Sequence, residues 1–81
     1  MSKTEILESF TQILRDLLFD DSIELSESTK RADVPNWDSF AYVNFIVAVE
    51  MQYGIKFGVS DVESFGNVGE IVHRAEELTN K

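Results

Sequence analysis

Apolar residues recur at helical spacing in three long stretches of the chain. In each stretch they return every three or four positions, which would place them on one face of an α-helix. The spacing predicts a first helix that ends near Phe19, a second from Asp38-Ser39 to about Tyr53, and a last one that starts at Asn67. The apolar stripes of the first and last helices consist of Ile6, Phe10, Ile13, Leu14 and Leu17, and of Val68, Ile71, Val72, Ala75 and Leu78.

Small polar residues and a glycine mark the ends of the predicted helices. Ser2 and Glu5 have the spacing of a capping box, in which two side chains accept hydrogen bonds from free backbone N–H groups of the first turn. Ser60 and Glu63 have the same spacing and predict a short third helix around residues 60–65. Gly54 can adopt the left-handed conformation that ends many helices, so the second helix is predicted to stop there.

Residues 20–37 are predicted to form a long connection, because polar residues and the only proline, Pro35, interrupt the helical pattern. We interpret Trp37 as a residue that packs at the edge of the core rather than as a platform for a ligand. The residues expected to pin the connection to the core are Ile23, Leu25, Val34 and Trp37.

Residues 55–57 alternate in polarity like a short β-strand, but the chain offers no second strand to pair with them. We therefore expect a loop that inserts Ile55 and Phe57 into the core. The predicted fold class is all-α, a four-helix bundle of three main helices and a short third helix with a long first loop. The length predicts one domain over residues 1–81.

The second predicted helix has apolar residues on two opposite faces, because successive residues lie 100° apart around a helix axis. Between Asp38 and Tyr53 only Asp38 and Glu50 are charged, so neither face is strongly polar. The predicted core face consists of Phe45, Ile46, Val49 and Tyr53, with Tyr42 close by. The opposite face, expected to be partly exposed, consists of Phe40, Ala41, Asn44, Val47, Ala48 and Met51.

Charge and hydropathy narrow the range of functions. The net charge is −8 and no basic cluster exceeds the pair Lys30-Arg31, so we do not expect nucleic-acid binding. The longest apolar stretch is broken by Asn44 and is too short to span a bilayer, and acidic lipid surfaces would repel the chain. Because the first residues lack the apolar run of a secretory signal, we expect a cytoplasmic protein without membrane attachment.

Most catalytic chemistries are poorly supported by the residues present. The chain has no Cys, so it forms no disulfide and has no thiol of its own. With His73 as the single histidine, no metal site is expected. Ser39 could be drawn into a hydrolase triad with His73 and an aspartate, but it lacks the G-x-S-x-G surroundings of a nucleophile elbow. We expect a non-catalytic protein.

The pair Asp38-Ser39 at the start of the second helix is the best candidate for a modified site. Asp38 is a suitable N-cap, which puts Ser39 in the first turn, where backbone N–H groups are free and the helix dipole is positive. A phosphate ester on Ser39 would be stabilised there. The alternative is that Asp-Ser is only a helix cap.

The stretch from Trp37 to Phe57 resembles the family of carrier proteins, without a gap. Members of that family carry Asp-Ser and a large aliphatic residue, then an amphipathic helix that ends in Glu, an aromatic residue, Gly and a β-branched residue. The corresponding residues here are Asp38, Ser39, Phe40, Glu50, Tyr53, Gly54 and Ile55. The helix order predicted above is also that of a carrier-protein bundle, so the resemblance covers essentially the whole chain.

The resemblance implies how the protein would work. A phosphopantetheinyl transferase would move 4′-phosphopantetheine from coenzyme A onto the Ser39 hydroxyl, with Asp38 as helix cap and part of the motif. The thiol of that covalent arm would carry an acyl or aminoacyl group as a thioester, which supplies the sulfur that the chain lacks. Further partners would be an acyl- or aminoacyl-activating enzyme and a downstream synthase or transferase, and we expect a monomer.

One departure from the family pattern concerns docking. Carriers of fatty-acid synthesis typically have an acid-rich second helix, whereas Ala41, Asn44, Met51 and Gln52 occupy those places here. We therefore predict a specialised or secondary biosynthetic pathway. The alternatives are a general fatty-acid-synthesis carrier and, in another class, an unmodified helical protein-interaction module. The residues predicted to dock partners are Phe40, Asn44, Val47 and Met51.

Overall fold

Four α-helices follow one another along the chain in the computed structural model, which describes residues 2–80. They are α1 (Lys3–Leu18), α2 (Ser39–Tyr53), α3 (Val59–Ser64) and α4 (Val68–Thr79). No β-strand occurs within the described range, and residues 55–58 form an irregular loop. The predicted all-α class and helix order are confirmed. The long first loop also contains a short 3₁₀ turn, Arg31–Asp33, which the sequence pattern does not indicate.

Helix α1 begins and ends on local signals. The Ser2 Oγ accepts a hydrogen bond from the Glu5 N–H, and the Glu5 carboxylate accepts one from the Ser2 N–H, each at 3.2 Å. This is the predicted capping box. The helix ends at Phe19, whose left-handed backbone (φ 55°) turns the chain away. The predicted apolar stripe points inward, and Ile6, Phe10 and Leu14 are completely buried.

Helix α2 also has the ends that the sequence predicts. The Asp38 Oδ1 accepts a hydrogen bond from the Ala41 N–H at 2.9 Å, so Asp38 is the N-cap. Gly54 ends the helix at φ 64°, where an added Cβ would meet no neighbouring atom, so only the backbone conformation favours glycine there. The Glu50 Oε2 accepts from the Phe57 N–H at 2.8 Å, which ties the following loop to the helix and supports the burial of Phe57.

The capping box predicted at Ser60 and Glu63 is wrong. Helix α3 begins two positions earlier, after Gly58, whose N–H donates to the Asp61 Oδ2 at 3.1 Å. A carboxylate three residues after the N-cap can accept a hydrogen bond from the free N–H group of that cap. The chain contains two such pairs, Gly58 with Asp61 and Ser60 with Glu63, and they begin only two residues apart. The helix stops at Phe65, whose extended backbone lets its ring pack edge-on against Phe57 at 5.4 Å.

The core lies between α1, α2 and α4, with α1 in contact with both of the others. The Phe10 and Phe45 rings meet edge to face at 5.5 Å, and Trp37 packs against Phe45 at 5.2 Å. Edge-to-face contacts of this kind are favourable for aromatic rings. The four residues predicted to pin the first loop are all buried: Ile23, Leu25, Val34 and Trp37.

The first loop is also held by its backbone. The carbonyl oxygens of Thr29 and Glu27 accept hydrogen bonds from the Val68 and Gly69 N–H groups, each at 2.8 Å. These N–H groups lie in the first turn of α4, where they have no partner within the helix. A Cβ at position 69 would lie 2.6 Å from the Glu27 oxygen, so the close approach requires glycine. The loop therefore reaches the start of α2 along a defined path.

The predicted position of one residue of α2 is wrong. The sequence pattern places Ala41 on the partly exposed face, but it is buried. It lies one and two helical turns before Phe45 and Val49, and its methyl group is small enough to be covered at the border of the core face. Val43, which was assigned to neither face, is exposed. Across residues 2–80, no helix is both long and apolar enough to cross a membrane.

Candidate functional site

Ser39 is the first residue of α2, and its side chain is exposed. The Asp38 carboxylate satisfies the Ala41 N–H, and the Asp38 carbonyl accepts from the Tyr42 N–H at 2.8 Å. The N–H groups of Ser39 and Phe40 have no acceptor within residues 2–80, as expected for a first helical turn. The Ser39 hydroxyl thus lies beside two free donors at the positive end of a 15-residue helix.

An open cleft of about 630 Å³ lies in front of Ser39. It is lined by Arg31 of the 3₁₀ turn and by Trp37 and Tyr42. Helix α3 and the residue after it contribute Val62, Glu63 and Phe65. Three segments far apart in the sequence therefore line the cleft beside one hydroxyl group.

Arg31 contacts the Ser39 side chain. Its Nη1 donates a hydrogen bond to the Ser39 Oγ at 3.4 Å. The guanidinium carbon lies 5.4 Å from the centre of the Tyr42 ring, within the range of a cation–π interaction. The sequence pattern singles out Arg31 only as half of a basic pair, and its place beside Ser39 depends on the fold of the first loop.

Tyr42 connects α2 to α3. Its hydroxyl donates a hydrogen bond to the Val62 carbonyl oxygen at 2.9 Å. Burial raises the pKa of the Tyr42 phenol above its ordinary value of 10.0, although the positive charge of Arg31 acts in the opposite direction. The phenol therefore stays neutral at physiological pH and keeps its donor, which holds the two sides of the cleft together.

Trp37 combines the expected packing with a position in the cleft. Only 4% of its surface is exposed, and its ring packs on Phe45, which matches its interpretation as a core-edge residue. It also lines the cleft at Ser39. Its indole Nε1 is buried and has no hydrogen-bond partner among the described residues.

The structure does not bring together the groups of a hydrolase. His73 lies on α4, where its Nε2 is 3.8 Å from the Glu77 Oε1 and its side chain is mostly exposed. It is not among the residues that line the Ser39 cleft. Within residues 2–80, no group of three or more His, Asp or Glu side chains is placed to hold a metal ion.

The residues predicted to dock partners lie along the exposed side of α2. Phe40 and Met51 are 77% and 80% exposed, Val47 and Asn44 are also exposed, and Val43 joins them. The Glu50 carboxylate is turned towards the following loop, where its Oε2 accepts a hydrogen bond from the Phe57 N–H. We call this surface the α2 strip and define it as Phe40, Val43, Asn44, Val47 and Met51. It runs from the Ser39 end of the helix towards Gly54.

Comparison with known proteins identifies two informative relatives. The chain is 29% identical over 76 residues to an acyl carrier protein from Thermotoga maritima, and the alignment covers 94% of each protein. The solution NMR structure of a holo acyl carrier protein from Geobacter metallireducens matches with a TM-score of 0.85 and 34% sequence identity. That match covers 91% of this chain and 85% of the other. No protein-family model matches the chain.

Proposed function

The chain belongs to the acyl carrier protein family, and on that premise we propose that Ser39 carries a covalent 4′-phosphopantetheine arm from coenzyme A. Members of this family are non-catalytic carriers. When bound, the arm supplies a thiol that holds an acyl or aminoacyl group as a thioester. The observation that carries the proposal is the exposed Ser39 hydroxyl at the start of α2, in a cleft with Arg31.

The residues around Ser39 fit a phosphate ester. The N–H groups of Ser39 and Phe40 are free to donate, and the helix N-terminus is the end that favours negative charge. The Arg31 guanidinium already reaches the Ser39 Oγ. An exposed hydroxyl in an open cleft is also accessible to a modifying enzyme.

In the attachment step, the Ser39 oxygen would bond to the phosphorus that carries pantetheine, and its proton would leave. The bond between that phosphorus and the adenosine bisphosphate part of coenzyme A would break, which releases adenosine 3′,5′-bisphosphate. Among the described residues no His lines the cleft, and neither of the carboxylates that line it, Asp38 and Glu63, is hydrogen bonded to the Ser39 hydroxyl. The base for this step is therefore expected from a phosphopantetheinyl transferase, and the role of this chain is to present Ser39 and the α2 strip.

We also propose that the carrier serves a specialised or secondary pathway. Its partners would be an ATP-dependent acyl- or aminoacyl-activating enzyme and a downstream synthase or transferase. The uncharged α2 strip supports this proposal, because interfaces are anchored by buried apolar groups and charge mainly steers the encounter. A general carrier of fatty-acid synthesis is the alternative, and efficient loading by a malonyl transferase would favour it.

Intact-mass measurement tests the attachment. The folded protein is incubated with coenzyme A, magnesium and a broad-specificity phosphopantetheinyl transferase. We expect one phosphopantetheine per chain on the wild type and none on Ser39→Ala. Ser60→Ala is the matched control, because Ser60 is also an exposed serine in the first turn of a helix, and it should be modified like the wild type.

Circular dichroism establishes that each variant is folded before the reaction. A folded wild-type protein that gains no mass would contradict the proposal and favour an unmodified interaction module. Addition to Ser39→Ala would show that another residue carries the arm.

A further inference from the structure

We propose that Arg31 is the phosphate-anchoring residue of this carrier, which holds the phosphodiester on Ser39 and directs the arm into the cleft. This inference rests on the proposed attachment at Ser39. It concerns a residue of the first loop, remote from the Asp-Ser motif in sequence. In the unmodified protein Arg31 contacts the Ser39 hydroxyl, and in the modified protein it would contact the phosphate.

The first argument is reach. The Arg31 Nη1 lies 3.4 Å from the Ser39 Oγ, which is long for a hydrogen bond to a neutral hydroxyl. The free phosphate oxygens would lie two bonds beyond that Oγ, so the guanidinium can contact them with a small movement of its side chain. Arginine is suited to this contact because its planar fork donates two parallel hydrogen bonds to a phosphate.

The second argument is that Arg31 is already held in place. Its guanidinium lies over the Tyr42 ring, and Tyr42 is fixed by its hydrogen bond to the Val62 carbonyl. The backbone of Arg31 lies in the 3₁₀ turn, where the Asp33 carboxylate accepts from the Lys30 N–H at 3.0 Å. Less conformational entropy is therefore lost when Arg31 binds a phosphate than for a free surface side chain.

The third argument is charge. Two carboxylates, Asp38 and Glu63, line the cleft, and Arg31 is the one cation among the described residues that do so. A phosphodiester would add a negative charge there in a protein whose net charge is already −8. Arg31 is therefore the side chain placed to offset that charge.

The position of Arg31 would also keep the arm away from the surface proposed to bind partners. It lies on the cleft side of Ser39, where Tyr42, Val62 and Phe65 provide apolar walls, whereas Phe40 and Met51 belong to the α2 strip. An arm held by Arg31 would begin in the cleft and leave the α2 strip free for a partner. Loss of Arg31 should then loosen the arm without preventing its attachment.

The test compares wild type, Arg31→Gln, Arg31→Lys and Lys30→Gln, each before and after modification. Lys30→Gln is the matched control, since it removes the same charge one residue away. The change in Tm on modification should be less favourable in Arg31→Gln than in wild type by about 2–4 °C. Lys30→Gln should behave like the wild type, and Arg31→Lys should recover part of the difference because it keeps the charge but not the fork.

NMR provides a readout that a purely structural role of Arg31 would not change. The phosphodiester gives a ³¹P signal, and Trp37, the only tryptophan, gives one indole N–H signal from the wall of the cleft. The ³¹P signals of modified wild type and modified Arg31→Gln should differ. The shift of the Trp37 signal on modification should be smaller in Arg31→Gln, and both effects should weaken in high salt.

The outcomes separate the two proposals. If the wild type gains no mass, the proposed function fails. If all four proteins are modified and Arg31→Gln shows the wild-type change in Tm and the wild-type NMR signals, the anchoring role is overturned and the carrier function stands. A slower attachment in Arg31→Gln, with a modified form identical to the wild type, would assign Arg31 to the encounter with the transferase and also overturn anchoring.

Discussion

Tyr42 belongs to both the core and the cleft. Its ring is partly buried, 6.2 Å from the Trp37 ring, and it supports the Arg31 guanidinium on its cleft side. Its hydroxyl is the link from α2 to α3 through the Val62 carbonyl. This hydrogen bond therefore ties α2 to α3 at the cleft in front of Ser39.

We expect Tyr42→Phe to reduce stability and to change its dependence on alkaline pH. Loss of the hydrogen bond should cost about 0.5–1.5 kcal/mol at neutral pH. Because the pKa of the Tyr42 phenol is raised in the folded state, the unfolded chain loses this proton first as the pH rises. The contribution is fully present below the unfolded pKa and is lost as the pH rises through the folded pKa.

The measurement is the free energy of unfolding by urea from about pH 9 to about pH 11, for wild type and Tyr42→Phe. The difference between the two proteins should shrink over that range. The two proteins differ only at position 42, so the difference between their free energies of unfolding isolates the contribution of this residue. A difference independent of pH would show that the Tyr42 proton is held no more tightly in the folded state.

At the scale of the helices, α1 and α2 both end at a residue with a left-handed backbone, but the two residues differ in how easily they adopt that conformation. Gly54 ends α2 with a residue that adopts positive φ without cost, whereas Phe19 ends α1 at φ 55°. A phenylalanine is sterically strained in that conformation, because its Cβ approaches the following carbonyl oxygen. Its side chain is 96% exposed, so no packing compensates for the penalty.

We therefore expect Phe19→Gly to stabilise the protein. The relief of strain should exceed the added entropy of the unfolded chain, with a net gain of about 0.5–1 kcal/mol, or roughly 2–8 °C in Tm. Phe19→Ala is the matched control, because it removes the exposed ring but keeps the Cβ and should leave the Tm almost unchanged. The measurement is the Tm of the three proteins by thermal unfolding. An equal rise in Tm for Phe19→Gly and Phe19→Ala would refute the strain argument.

At the scale of the whole molecule, we expect partner binding to depend more on where the charges lie than on the net charge. The chain carries eight net negative charges, yet the α2 strip is uncharged and the Glu50 carboxylate is engaged by the Phe57 N–H. The acidic residues lie mostly on other elements. We therefore expect long-range attraction to a basic partner to affect how fast the partner arrives, and we expect Phe40 and its neighbours to set how tightly the partner binds.

This leads to a prediction about salt. The KM of the phosphopantetheinyl transferase for this protein should change less than about threefold between roughly 50 and 500 mM salt. Phe40→Ala should raise that KM about tenfold, because it removes an apolar anchor next to Ser39. Val59→Ala is the matched control, since Val59 is an exposed apolar residue of α3 outside the α2 strip. A steep rise of KM with salt, together with little effect of Phe40→Ala, would indicate docking dominated by charge.

Local sequence signals are sufficient to predict the helices and most of their ends. The caps at Ser2, Asp38 and Asn67 and the stop at Gly54 could be predicted because each depends on residues within four positions of one another. The modification of Ser39 is likewise a prediction from local sequence, since Asp38-Ser39 and the helix behind it are continuous in the chain. Where two local signals overlapped, at the start of α3, the pattern alone did not decide between them.

The surroundings of Ser39 depend on contacts between segments that are far apart in the chain. The 3₁₀ turn at Arg31, the hydrogen bond from Tyr42 to Val62 and the loop carbonyls on α4 all join residues from different segments. Their approach depends on how the whole core closes, including the burial of Ala41 at the edge of α2, and no local spacing encodes it. The sequence thus predicts Ser39 as the modified residue, and the packing of distant segments places Arg31 and a cleft beside its hydroxyl group.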